Sequence, residues 1–122
     1  MEIPKPTEAD KEHFRSLVPD DQRVEVKPMF GNLGAFVNGN MFMGLFGASV
    51  GVKLNDADGA KLLAHKGTGP FGPEERPMGG YVSLPAAWRT SKAKAKPWVA
   101  KSLDHVATMP AKRPTKKAAR KR

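Results

Sequence analysis

The spacing of apolar positions changes twice along the chain, from helical to alternating and back. Phe14, Leu17 and Val18 lie three to four residues apart and give a first helix a core-facing stripe. Thr7-Glu8-Ala9-Asp10 supplies its start, a Thr N-cap with acids in the first turn, where carboxylates suit the positive end of the helix dipole. Pro19-Asp20-Asp21 ends it. The pattern then alternates. Val24, Val26 and, past Pro28, Phe30 are separated by Glu25 and Lys27, which predicts a half-buried strand. Pro28 cannot donate to a ladder, so that strand belongs at an edge or carries a bulge. Gly31-Asn32 can turn the chain into a second strand over 33–37. Asn38-Gly39 is the dipeptide that a type I′ turn demands. The third strand, 41–46, has almost no polar residue and is expected at the centre of the sheet. After a turn at Gly47-Ala48-Ser49, Val50, Val52 and Leu54 alternate with Gly51 and Lys53, a fourth strand with one buried face.

Helical spacing returns with Asn55 and Asp56, which can cap a second helix over 56–66 carrying Leu62 and Leu63, with Gly67 as its stop. Residues 67–80 are rich in Gly and Pro and read as a loop anchored by Phe71. Tyr81, Val82 and Leu84 predict a last strand, and Pro85 opens a helical turn carrying Trp88. Residues 89–96 read as a Lys/Ala connector. Pro97 suits the first turn of a final helix, with Val99, Leu103 and Val106 on one face and Trp98 alongside. Pro110 closes the folded part. Short hairpin links exclude a doubly wound parallel sheet, which needs long crossovers. The expectation is a two-layer α+β domain over residues 1–109: an antiparallel meander with helices packed on one face.

Charge changes this picture at one end only. Residues 1–88 hold nine Lys and Arg against eleven Asp and Glu, whereas 89–122 hold twelve against one. The net charge of +9 thus belongs to the C-terminal stretch and not to the fold. Residues 110–122 form a low-complexity basic tail expected to be disordered, since apart from Pro it holds no apolar residue larger than Ala to bury. Its cations are Lys112, Arg113, Lys116, Lys117, Arg120, Lys121 and Arg122. They could neutralise phosphates without reading bases. No aromatic interleaves them as a stacking platform. Weak, sequence-independent nucleic-acid binding through the tail is therefore expected at most, and a solubilising role serves as well. The tail has no apolar residue to insert, so no membrane role is expected. No apolar run reaches a membrane span, and the acidic, polar N-terminus does not read as a secretory signal. With no cysteine, thiolate chemistry, disulfides and Cys-ligated metals are excluded. A cytoplasmic protein is expected.

Catalytic constellations are thin. His13, His65 and His105 fall on three different expected helices, with no ligand spacing between them, so no metal or cofactor is expected. Glu74-Glu75 and Asp20-Asp21 are adjacent acids in turn sequences, which are ordinarily solvated. Ser16, Ser49, Ser83, Ser91 and Ser102 include no nucleophile elbow. Gly67-Thr68-Gly69 follows a helix and runs into Pro70, the reverse of a phosphate cradle. A small-ligand or hydrolytic enzyme would need a pocket of convergent polar groups, and a non-enzymatic chain is expected.

The ordered set Met29-Phe30-Gly31, the glycine-bearing strand 33–37, Asn38-Gly39, Met41-Phe42, Val52-Lys53-Leu54, Pro70-Phe71, Arg76-Pro77-Met78, Tyr81 and Leu84-Pro85 resembles the N-terminal domain of TfoX/Sxy proteins. The resemblance covers roughly residues 24–109. It implies the secretion-chaperone-like α+β fold. Full-length members of that family are regulators of natural competence that act with a cyclic-AMP-responsive transcription factor in bacteria, and they carry a second, helical domain. The present sequence has a basic stretch in that place, so a stand-alone N-terminal-type module is expected. The family supplies no catalytic residues.

The remaining functional hint is a soft apolar set. Alternation over 41–46 puts Met41, Met43 and Leu45 on one sheet face and Phe42 and Phe46 on the other, with Phe30 nearby. Helices can cover only one face. The second must be covered by the 67–80 loop through Phe71, by a second subunit, or left open as a protein-binding surface. Met41, Phe42, Met43, Phe46 and Phe30 are thus the candidate protein-binding residues. The expected function is an interaction or regulatory module, an accessory factor with a protein partner in or near the transcription machinery. Its oligomeric state is left open by the sequence.

Overall fold

A computed structural model of the chain describes residues 5–29, 31–72 and 78–110. In chain order it forms α1 (Glu8–Leu17), β1 (Val24–Met29), β2 (Asn32–Val37), β3 (Asn40–Phe46), β4 (Ser49–Lys53), α2 (Asp56–Leu63), β5 (Gly69–Pro70), β6 (Tyr81–Ser83), a 3-10 turn (Ala86–Thr90) and α3 (Lys92–Ala107). The sheet order is β1-β2-β3-β4-β6-β5, and each neighbouring pair is antiparallel. The four-strand meander, the antiparallel sheet and the α+β class all follow the expectation. Phe30, Glu74, Glu75 and the tail cations from Lys112 to Arg122 lie outside the described residues.

Local chemistry accounts for the element ends. Thr7 and Asp10 form a reciprocal capping box: the Asp10 N–H donates to the Thr7 hydroxyl at 3.1 Å and the Thr7 N–H to the Asp10 carboxylate at 2.9 Å. Asn38 and Gly39 both take positive φ, 54° and 79°, as the type I′ link between β2 and β3 requires. Pro28 sits in β1, an edge strand, where its missing N–H costs no ladder bond. The edge position also leaves β1 more open than its alternation suggests, and Val26 is 37% exposed.

Three boundaries differ from expectation. α2 stops at Leu63, because Thr68 turns back and its hydroxyl donates to the His65 carbonyl at 2.8 Å. Residues 69–70 leave the loop to pair with β6 as a short outer strand. α3 begins at Lys92, not at Pro97. The run Lys92-Ala93-Lys94-Ala95-Lys96 is strongly helix-forming. Pro97, sixth in the helix, gives up only the bond to the Ala93 carbonyl.

All three helices meet one face of the sheet. Phe14 and Leu17 of α1, Leu62 of α2, and Ala95, Val99, Leu103 and Val106 of α3 join Val37, Phe42, Met43, Leu45, Val50, Val52 and Val82 in a single core. One contact fixes α3 against the sheet. β3 and β2 pair as Ala35 with Met43 and Phe36 with Met41, so Phe42 is an extra, bulged residue. The β3–β4 ladder begins one step further on, at Met43 with Val52. The fully buried Ser102 hydroxyl stands between the strands at this gap. It accepts from the Lys53 N–H at 3.2 Å and donates to the Phe42 carbonyl at 2.5 Å. A side chain of α3 thereby replaces a missing ladder bond.

Candidate docking surface

The bulge corrects the assignment of side chains to faces. Phe42 and Met43 both lie on the helix side, 0% exposed, and cannot meet a partner. Met41 is thrown to the opposite face with Gly44 and Phe46. Strict alternation predicted the reverse pairing of Met41 with Met43 and of Phe42 with Phe46. It fails because one extra residue in a strand shifts every later side chain by one position.

The opposite face is built on a lane of small residues. Gly34, Gly44, Gly51, Ser83 and Gly69 are successive cross-strand neighbours from β2 to β5. Side chains lie flat along that lane. A Cβ on Gly51 would stand 2.3 Å from Phe71 Cγ, so the Phe71 ring rests directly on the β4 backbone. A Cβ on Gly34 would meet Met41 Sδ and Phe36 Cε1, each at 3.0 Å. Phe71 is 2% exposed and packs against Phe46 and Tyr81, with ring centroids at 6.3 and 6.1 Å. The Gly/Pro-rich segment therefore does cover part of the second face through Phe71.

Beside that cover lies a groove of about 450 Å³. Met29, Phe36, Gly39, Asn40, Met41, Lys53, Met78, Tyr81 and Met109 line it. Its floor is Met41, whose carbonyl accepts the Tyr81 hydroxyl at 2.7 Å. Burial pushes the Tyr81 phenol up to about 12. Lys53 Nζ stands 5.0 Å from the Tyr81 ring centre and Lys27 Nζ 5.2 Å from that of Phe36. Of the described members of the sequence-predicted set only Met41 lines this groove, and Phe46 lies further along the same face. Phe36, Lys53, Tyr81 and Met109 were not anticipated. Lys53 and Tyr81 meet only because β4 pairs with β6, a contact that no local pattern announces.

Several titratable groups elsewhere are engaged in structure. The Asp10 carboxylate is held below the usual range, first by the Thr7 N–H and then by Arg89, whose guanidinium lies 2.6 Å away. This ion pair ties α1 to the 3-10 turn. His13 and Arg89 line a second cavity of about 150 Å³, otherwise largely apolar. Burial, then Arg89 and Lys92, lower the pKa of His13. His65 packs edge-on against Trp88 and Trp98, with centroids at 5.3 and 5.7 Å. Asp21 is drawn down to about 2 by hydrogen bonds from Arg23. Among the described residues no group of three or more His, Asp and Glu side chains is placed to hold a metal ion. No helix among them is long and apolar enough to cross a membrane.

With the meander, the glycine lane and the Phe71 cover in place, the family match is decisive. The model of the TfoX N-terminal domain matches residues 12–106 of the 122. The chain belongs to the TfoX N-terminal domain family. Among curated proteins none matches it. The matched span runs from α1 to the last turn of α3, so the family's unit includes both the helical layer and the strands that carry the groove.

Proposed function

We propose that this chain is a non-catalytic protein-binding module of the bacterial cytoplasm, an accessory regulatory factor whose docking surface is the Met/aromatic groove. One observation carries the reading. The sheet face left free by the helices is apolar, lined by four methionines and two aromatic rings, and flanked by few polar groups. Methionine surfaces adapt to varied apolar partners, and a half-buried apolar recess can take an apolar side-chain anchor. Two features away from the groove fit the non-catalytic reading: Asp10 and Arg89 neutralise each other, and the exposed His65 ring rests edge-on against Trp88 and Trp98.

The basic end of the chain supports a second reading, non-specific association with nucleic acid through its seven cations. Capture from nuclease-treated lysate separates the two, with three baits: the native chain, Met29→Glu with Met109→Glu, and a chain ending at Pro110. A partner retained by the native and shortened baits and lost from the double variant is the expected result. Retention that depends on residues 111–122 and is seen only in a parallel lysate without nuclease would replace this reading with the nucleic-acid one.

A further inference from the structure

Thioether sulfur is concentrated on the thin face of the sheet. The chain has six methionines and no cysteine, and four of the six, Met29, Met41, Met78 and Met109, line the groove. Met29, Met78 and Met109 are half-buried there, and Met41 on the floor is 9% exposed. Met43, next to the bulge on the helix side, is 0% exposed. With no thiol in the chain, these thioethers are its most readily oxidised sulfur. Exposure then sets the order in which an oxidant in solution reaches them. The three half-buried groove methionines come first, then Met41, and Met43 only when the helix-side core opens. Oxidation to the sulfoxide turns a flexible apolar side chain into a polar one. In the groove it would do so on the face that is one side chain deep. Val99, Leu103 and Val106, which hold α3 on the other face, would be left as they are.

We propose that Met29, Met78 and Met109 form a reversible oxidation site, at which a hydroperoxide turns the groove from apolar to polar and so weakens what it docks. This rests on the docking reading above and names its regulation. The step is a two-electron oxygen transfer. A sulfur lone pair attacks the terminal oxygen of the hydroperoxide, the O–O bond breaks and an S–O bond forms. The proton of the transferred oxygen passes to the departing one, which leaves as water or an alcohol. The return step takes a dithiol. The sulfoxide oxygen leaves as water, the sulfur regains two electrons and the dithiol becomes a disulfide. The chain has no cysteine, so that dithiol belongs to a separate reductase. Placement makes the set a switch and not a lesion. The modified atoms line the recess and lie off the core, so docking changes while the fold persists.

The test uses the full chain with ¹³C-labelled methionine methyls, hydrogen peroxide as the oxidant, and an uncharged peptide of Leu, Phe and Ser as the docking probe. Peptide mapping by mass spectrometry after graded peroxide should find oxygen first on Met29, Met78 and Met109, and on Met43 only when urea is added. The reduced chain should bind the peptide, with shifts of the groove methyl signals. The oxidised chain should bind it about tenfold more weakly, the weight of one polar group desolvated without a partner. Methionine sulfoxide reductase with its dithiol should restore binding. Met29→Leu combined with Met78→Leu and Met109→Leu keeps the lining apolar, and this variant should bind equally before and after peroxide. If Met43 is oxidised as fast as the groove methionines, or the oxidised chain unfolds, the set is a site of damage and the proposal is overturned. If peroxide weakens binding by the triple variant as well, the switch lies on other residues and the proposal falls. If both forms of the native chain bind the peptide alike, the docking reading stands and the oxidation switch falls. If the reduced chain does not bind it, the docking reading falls and the switch with it.

Discussion

The two faces of one sheet are covered in different ways. On the helix side, Val37, Phe42, Met43, Val52, Val99 and Val106 interlock at 1% exposure or less, and α3 is fixed by a buried hydroxyl bridge. On the other side there is no helix among the described residues. A lane of glycines lets Phe71 and Met41 lie flat on the backbone, and beyond them the cover thins into a groove. The first arrangement is rigid because each side chain is held by many neighbours. The second is one side chain deep. It hides the sheet from water without building a second core, and it leaves an apolar recess beside that cover. Stability is thus concentrated on one face and recognition is free to use the other.

The sharpest way to break this comparison is truncation on each side. Leu103→Ala, in the helix-side core at 5% exposure, should cost ~2–5 kcal/mol. Met78→Ala, half-buried in the groove wall, should cost no more than about 1 kcal/mol. Urea denaturation reads both. Equal losses would mean that the groove wall is as much a part of the core as the helix side.

Next in size is the glycine lane. Gly51→Ala drives a methyl into the Phe71 ring, and overpacking of this kind costs about 1–3 kcal/mol. The same change in a Phe71→Ala background should cost almost nothing, since the atoms it strikes are gone. A double-mutant cycle measures the difference. Additive losses would show that Gly51 is required for a reason other than the resting place of Phe71.

Ser102→Ala tests the helix side from its polar contact. It leaves the Lys53 N–H and the Phe42 carbonyl without their shared partner, at a cost of about 1–3 kcal/mol by denaturation. Ser102→Thr retains the hydroxyl and should recover part of the loss. A Ser102→Ala protein as stable as the native chain would mean that water enters the bulge and replaces the serine.

Where the sequence was a good guide, the physics is local. Asn38-Gly39 fixes its own turn by positive φ, Thr7 and Asp10 cap within four residues, and Phe71 stands out as the one aromatic side chain in its Gly/Pro-rich surroundings. Where it misled, the cause is a contact between distant residues. The Phe42 bulge depends on how β2 and β4 register on β3, and Ser102 reaches it from 60 positions away. No periodicity within 41–46 contains that information. The groove was half legible for the same reason: Met41 could be named from its strand, whereas Lys53 and Tyr81 become neighbours only when β6 joins β4. The start of α3 was hidden by Pro97, whose reputation as a first-turn residue outweighed the helix preference of the five residues before it.

The smallest expected effect reports on the thin face directly. Tyr81 is the only tyrosine, so its titration is free of overlap. Its phenol is pushed up to about 12 by burial against the groove floor, from an ordinary value near 10. A folded-state pKa above the unfolded one means that the folded chain holds its proton longer. The associated stability is complete below about pH 10 and is lost as the pH rises through 12. Ultraviolet absorbance of the phenolate should therefore lag by about two pH units in the native protein relative to the same chain in denaturant. A ring titrating near 10 in the folded chain would place Tyr81 in open water, and the groove would then be a flat surface with no recess for an apolar anchor.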